Sequence, residues 1–277
     1  MLKQRIITAL ALLAVLLPAL FVQVAWPFIA LSVLMIGAAG WEWARLNGQL
    51  GSGALVAGVA LGAAAAATAL AGGVGHAPGL VWNAATLVWV LGGAWVLRAG
   101  VTGWPRLDRS LRLLLGLVLL WLAWLAIAQA RVVGVNFLLS LLCLVWMADI
   151  AAYFAGRAFG RRKLAPAISP GKSWEGVVGG MVGVLALSVF WLWFDHAAPV
   201  DSVSLYGLLL QRGGVVSLVL GVMFLAAMSV VGDLFESLVK RAAGAKDSSQ
   251  LLPGHGGVLD RIDALLPVCP LALGLLS

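Results

Sequence analysis

Charge is scarce in this sequence. Only 10% of its 277 residues are Asp, Glu, Lys or Arg, and it holds two tyrosines, three histidines and two cysteines. Soluble domains carry about 25% charged residues. The shortage therefore excludes a soluble enzyme and also a disordered chain, which needs polarity to stay solvated. Cys143 and Cys269 both lie in apolar runs, which argues against a disulfide framework or a thiolate metal site. What fills the chain instead is apolar: 62% of the residues are hydrophobic, and the mean hydropathy is +1.05. One or two soluble domains of this length cannot hide that much apolar surface. The expected fold is an all-α, polytopic membrane protein.

A crossing helix needs about 20 mostly apolar residues. Nine segments qualify, near 6–22, 27–44, 53–74, 79–97, 111–130, 135–156, 174–194, 214–236 and a short, proline-bearing 262–276. Lys3 and Arg5 ahead of the run Ile6 to Leu17 imitate a signal peptide. Further spans follow without a clear small-x-small cleavage site, so this is expected to be an uncleaved first span. With the N-terminus placed in the cytoplasm, alternation puts 16 of the 18 basic residues on the cytoplasmic side, leaving Arg131 and Arg212. That is a strong positive-inside bias. Residues 1–110 then form an N-terminal set of spans, and 111–277 a C-terminal region that carries the chemistry. The Ala/Gly-rich third span suits close helix packing. Tryptophans such as Trp26, Trp41, Trp43, Trp104 and Trp174 sit near span ends, where an interfacial belt is expected. His76 and His196 fall in far-side loops and receive no role.

With so few acids, those inside or beside spans stand out, because a carboxylate in lipid is costly and usually functional. Asp149, Tyr153 and Arg157 share a helix face at i, i+4 and i+8. The plainer reading is a packing pair; the sharper one is a site group near the cytoplasmic surface. In Ser169-Pro170-Gly171-Lys172-Ser173-Trp174-Glu175-Gly176, the Ser-Pro-Gly step reads as a turn and Ser173 as a helix cap. Lys172 beside a helix N-terminus suits a phosphate, but Pro166 breaks the P-loop frame. The densest stretch, Asp233 to Asp263, holds five acids and four bases. Asp233, Glu236, Ser237 and Lys240 form one helical stripe, followed by Arg241, Lys246, Asp247, Pro253-Gly254-His255-Gly256-Gly257 and Asp260-Arg261-Ile262-Asp263. Several carboxylates suit Mg²⁺, which keeps waters and takes phosphate oxygens as further ligands. Lys and Arg neutralise phosphate charge, and the Gly pair lets backbone N–H groups approach an anion. His255 is placed to donate to a phosphate or move a proton. Zinc is disfavoured, since no cysteine or second histidine converges there.

Ser237-Leu238-Val239-Lys240-Arg241, Lys246-Asp247, Leu252-Pro253, His255-Gly256-Gly257 and Asp260-Arg261-Ile262-Asp263 together resemble the signature of the phosphatidate cytidylyltransferases (CDP-diacylglycerol synthases). The resemblance runs through all 27 positions of 237–263. It extends to Asp149 to Gly156 and to Ser169 to Gly176, so it covers the C-terminal half. It implies the reaction CTP + phosphatidic acid → CDP-diacylglycerol + pyrophosphate, in the bacterial inner membrane, with the active site at the cytoplasmic face. It also implies Mg²⁺ paired with K⁺ on the carboxylates matching Asp233 and Asp260, with Asp263 joining them. The expected catalytic set is Asp233, Lys240, Arg241, Lys246, Asp247, His255, Asp260, Arg261 and Asp263. Asp149, Ser169, Lys172, Ser173, Glu175, Ser237, Gly256 and Gly257 are expected at the substrates. Partners are CTP, phosphatidic acid and the bilayer, with no nucleic acid; a homodimer is compatible. Two alternatives stay open. A CTP-dependent polyprenol or phytol kinase transfers the γ-phosphoryl group instead, and an anion transporter lines a path with its acids.

Overall fold

The computed structural model describes residues 2–75 and 77–277, with side chains from Ile6 onward. His76 and the side chains of Lys3 and Arg5 lie outside the described residues. The fold is a helical bundle with one small hairpin. Its helices are α1 (Leu2–Phe21), α2 (Trp26–Leu46), α3 (Ser52–Leu70), α4 (Gly79–Leu87), α5 (Gly93–Ala99), α6 (Arg109–Val133), α7 (Val135–Phe159), α8 (Trp174–Ala197), α9 (Leu205–Ala242), α10 (Leu259–Ile262) and α11 (Leu265–Leu276). A widened π turn over Val88–Gly92 joins α4 to α5. Among the described residues, seven helices are long and apolar enough to cross a membrane, counting Gly79–Ala99 as one. The apolar part of α1, Ile6–Phe21, is shorter.

The structure departs from the expected all-α bundle in two places. Residues 169–173 form a strand rather than a turn. β1 (Lys163–Ala165) pairs antiparallel with β2 (Ser169–Ser173), Lys163 facing Ser173 and Ala165 facing Ser169. The reversal falls earlier, where the Ile168 N–H donates to the Ala165 carbonyl at 3.1 Å. Pro170 is tolerated because a two-stranded ribbon leaves each strand an open edge. The eighth apolar segment starts earlier than expected, at Leu205. Ser204 Oγ caps it by accepting from the Gly207 N–H at 3.1 Å, and a break at Gly213–Gly214 interrupts it.

The last helix explains its own odd sequence. Twelve residues of α-helix reach only about 18 Å, short of the roughly 30 Å hydrocarbon core. Yet every residue from Leu265 to Leu273 is buried, because α11 lies inside the bundle against α9, α4 and α6. It is apolar all round since protein, not lipid, surrounds it.

Small residues let neighbouring helices close up. A Cβ at Gly180 of α8 would stand 2.8 Å from the Ala148 carbonyl oxygen of α7, and one at Gly176 would stand 2.9 Å from that of Ala152. The Ala/Gly-rich α3 packs as expected: a Cβ at Gly58 would sit 2.6 Å from the Gly37 carbonyl oxygen of α2. Tryptophan behaves differently from the expected belt. Trp26 and Trp174 are exposed, but Trp43, Trp82, Trp89, Trp104 and Trp124 are fully buried. Trp43 stacks on Phe235 of α9 at 5.9 Å, while Trp89 and Trp104 meet the same ring edge-on at 5.4 and 5.5 Å. This knot ties the N-terminal helices to the acid-bearing part of α9.

Candidate active site

At one end of the bundle, α7, β2, α8 and α9 surround a cavity of about 490 Å³. Asp149, Tyr153 and Arg157 of α7 all reach it, as their spacing predicts; Ser169, Lys172, Ser173 and Asp233 complete the polar lining. Ser173 Oγ accepts from the Gly176 N–H at 3.1 Å and so caps α8. Glu175 does not line this cavity. Its carboxylate accepts from the backbone N–H groups of Arg161 and Arg162 at 3.1 and 3.2 Å, which fastens the end of α7 to the start of α8. Lys172 Nζ lies 2.6 Å from Asp233 Oδ2, and Ser237 Oγ donates to Asp233 Oδ1 at 3.2 Å.

One helical turn further along α9, Lys240 sits between two buried carboxylates. Its Nζ is 2.5 Å from Glu236 and 2.6 Å from Asp260. Asp260 is a hub: it also accepts from the Ser248 N–H at 3.0 Å, the Ser248 hydroxyl at 2.9 Å and the Gly257 N–H at 2.8 Å. Lys240 and these donors together take up both of its oxygens. Asp263 is the opposite case. Among the described residues it accepts only from the neighbouring Ala264 N–H, at 2.8 Å.

Between these acids the chain folds into a tight loop. The Leu252 N–H donates to the Gly256 carbonyl at 2.8 Å and the His255 N–H to the Leu252 carbonyl at 2.8 Å, with Gly256 at φ +83°. Arg261 donates to the His255 carbonyl at 2.5 Å and Arg241 to the Ala245 carbonyl at 3.0 Å. Both arginines thus brace the loop. The buried His255 Nδ1 has no hydrogen-bond partner among the described residues. Lys246 and Asp247 line a different hollow of about 750 Å³, with Trp41 and Arg45 of α2. The first cavity therefore gathers Asp149, Ser169, Lys172, Ser173 and Asp233. Ser237, Lys240, Asp260 and Asp263 stand behind it, while Arg241, Lys246, Asp247, His255, Gly256 and Arg261 belong to the loop and its outer side.

The donor chemistry fits a hard divalent cation. No three acid, histidine or cysteine side chains form a ready-made cage among the described residues. Mg²⁺ needs only one or two carboxylates when substrate phosphates and water supply the rest. Asp233 faces the cavity, and Glu236 keeps both buried oxygens without a well-directed hydrogen bond, despite the nearby Lys240. Asp260, by contrast, spends its oxygens on donors from the chain.

Sequence reasoning missed Glu42. This α2 carboxylate is fully buried and holds the loop through four hydrogen bonds. The signal was present: an acid inside the apolar run Trp26–Leu46 meets the same rule that singled out Asp149.

Seven helices long and apolar enough to cross a membrane point to a membrane protein, and a cavity of lysine, carboxylates and a helix N-terminus suits the chemistry of a phosphate-bearing ligand. The comparisons specify the class. The profile of the cytidylyltransferase family fits residues 3–277, and the chain belongs to that family. It is 43% identical, over its whole length and 97% of the relative, to a phosphatidate cytidylyltransferase of Pseudomonas aeruginosa. It is 50% identical to the enzyme of that name from Haemophilus influenzae over half of this chain and 44% of the relative. For that of Bacillus subtilis the figures are 38%, 52% and 48%.

Proposed function

We propose that this protein is a phosphatidate cytidylyltransferase: CTP + phosphatidic acid → CDP-diacylglycerol + pyrophosphate. The observation that carries the reading is the cavity in which Lys172, at the N-terminus of α8, meets Asp233 of α9, in a chain of this family. The lipid phosphate is already an anion, so its oxygen can attack the α-phosphorus of CTP with little help from a base. The bond to the β-phosphoryl group breaks, and pyrophosphate leaves. What the protein must supply is alignment and neutralisation of charge. Lys172, Ser173 and the α8 N–H groups bind phosphate oxygens, and Arg157 of α7 adds charge to the same cavity. Asp233 would hold Mg²⁺, with Glu236 and Asp263 behind it, and such an ion would neutralise charge building on the phosphates. Asp260 acts by fixing Lys240 and the loop.

The site end faces the cytoplasm of a bacterial inner membrane, a reading supported by the positive-inside bias. In this topology α1 adds a crossing, and α10 with α11 in tandem forms the last of nine.

The test is direct. Purified protein in detergent is given CTP, Mg²⁺ and phosphatidic acid, and the products are separated. Liponucleotide with pyrophosphate is expected. CDP with a newly phosphorylated polyprenol or phytol, when that alcohol is offered, would assign a kinase; anion uptake into vesicles without CTP consumption would assign a transporter.

A further inference from the structure

Glu42 lies in the N-terminal half of the chain, far in sequence from every residue of the signature. It is 0% exposed and, among the described residues, forms no ion pair. All its partners come from one loop. Oε1 accepts from the Ser249 hydroxyl at 2.5 Å and the Val258 N–H at 3.0 Å. Oε2 accepts from the Ser248 hydroxyl at 3.1 Å and the Leu259 N–H at 2.7 Å. Hydrogen bonds to a carboxylate are the strong kind, above all where water is excluded. Both ends of the loop are therefore gripped by one side chain.

The grip reaches the site through single atoms. The Ser248 hydroxyl stands between Glu42 and Asp260, 2.9 Å from the latter, so its one proton is shared by two carboxylates. Asp260 follows Leu259 directly, and Asp260 in turn holds Lys240. Gly257 is part of the same fit: a Cβ there would lie 2.3 Å from Glu42 Oε1 and 2.1 Å from Ser248 Oγ. That space is taken by the Glu42 carboxylate, which accounts for a glycine at this place in the signature. The adjacent Trp43 stacks on Phe235, the residue before Glu236, so α2 is a rigid mount.

We propose that Glu42 is a positioning residue for cytidylyl transfer, holding residues 248–259 so that Asp260 and Lys240 stand correctly behind the cavity. This rests on the reaction proposed above. The test compares wild type with Glu42→Gln, which keeps the side-chain size but replaces one acceptor oxygen with a donor. Purified protein in detergent is assayed for kcat, KM for CTP, melting temperature and hydrogen exchange of the 248–260 segment. In Glu42→Gln, kcat is expected to fall about 10- to 100-fold, with KM for CTP changing less and exchange of the segment faster. A folded Glu42→Gln with kcat within about twofold of wild type would overturn the proposal. Should that variant fail to fold, Ser249→Ala removes the 2.5 Å bond to Glu42 together with a local one, which Ser249 Oγ accepts from the Leu251 N–H at 3.0 Å. A drop in kcat at unchanged melting temperature then supports the role, and unchanged kcat overturns it. Wild type that makes no liponucleotide would overturn the reaction; unchanged exchange at 248–260 in Glu42→Gln would overturn the grip.

Discussion

Lys240 shows how single residues carry the site. It is mostly buried between Glu236, 1% exposed, and Asp260. Removing one partner of a buried ion group leaves a charge without compensation, at a cost of about 3–5 kcal/mol. The two acids would not suffer equally. Asp260 keeps the N–H groups of Ser248 and Gly257, whereas Glu236 has, among the described residues, only its 2.5 Å ion pair with Lys240 and no hydrogen-bond partner. Lys240→Met is therefore expected to lower the melting temperature of the detergent-solubilised protein sharply, and Glu236→Gln on top of it to restore part of the loss. A double-mutant cycle by thermal unfolding checks this; additive effects would contradict the coupling. The charge stripe Asp233-Glu236-Lys240 was legible in the sequence because i, i+3 and i+7 share a helix face. The division of labour was not. Spacing along α9 cannot say that Asp260 turns toward Lys240 and two backbone N–H groups, nor that Glu175 faces backbone instead of the cavity. Those depend on how the loop closes.

At the scale of elements, helix starts matter as much as helix faces. α7 begins at Gly134 without a cap of its own. Asp201, from the loop between α8 and α9, accepts from its N–H groups at Val135 and Asn136 at 2.6 and 2.9 Å. Partial burial pushes the Asp201 carboxyl up, but these N–H groups outweigh it and the net shift is downward. A lowered folded-state value means stability present above the unfolded value of about 3.9 and lost as pH falls toward the folded one. Asp201→Asn should remove about 0.5–2 kcal/mol, near the low end for an exposed group. It should also flatten the decline of melting temperature below about pH 4. An unchanged slope would remove Asp201 from the capping role. Neither this borrowed cap nor the hairpin was legible: the cap pairs residues more than sixty apart that only packing brings together, and the hairpin's short strands hold Pro170 and Gly171, which read as a turn. The long apolar segments were legible because their length and hydropathy are local quantities. Buried tryptophans such as Trp43 escaped because a ring near a span end satisfies an interfacial pattern and a core pattern alike.

For the molecule as a whole, charge and shape point the same way. The helices alternate, so the ends of α2, α5, α7 and α9 and the hairpin share one end of the bundle with the cavity. Arg131 and Arg212 mark the other end: Arg131 donates to the Val22 carbonyl between α1 and α2, and Arg212 to the carbonyl of Ser277. Cytoplasmic loops carry the excess of Lys and Arg, so the cavity end should be inside the cell. CTP would then reach its site directly, and the phosphate of an inner-leaflet lipid would reach it from the side. Single cysteines decide the orientation. Lys163 in the hairpin and Pro199 at the opposite end are both exposed, and Cys269 is buried, while a parent in which Cys143 is replaced removes the half-buried thiol. With a membrane-impermeant maleimide on intact cells, Pro199→Cys should label and Lys163→Cys should not. Permeabilising the cells should expose Lys163→Cys as well. The reverse pattern would put the cavity outside, where neither CTP nor the charge asymmetry makes sense, and would undo the topology and the reaction together.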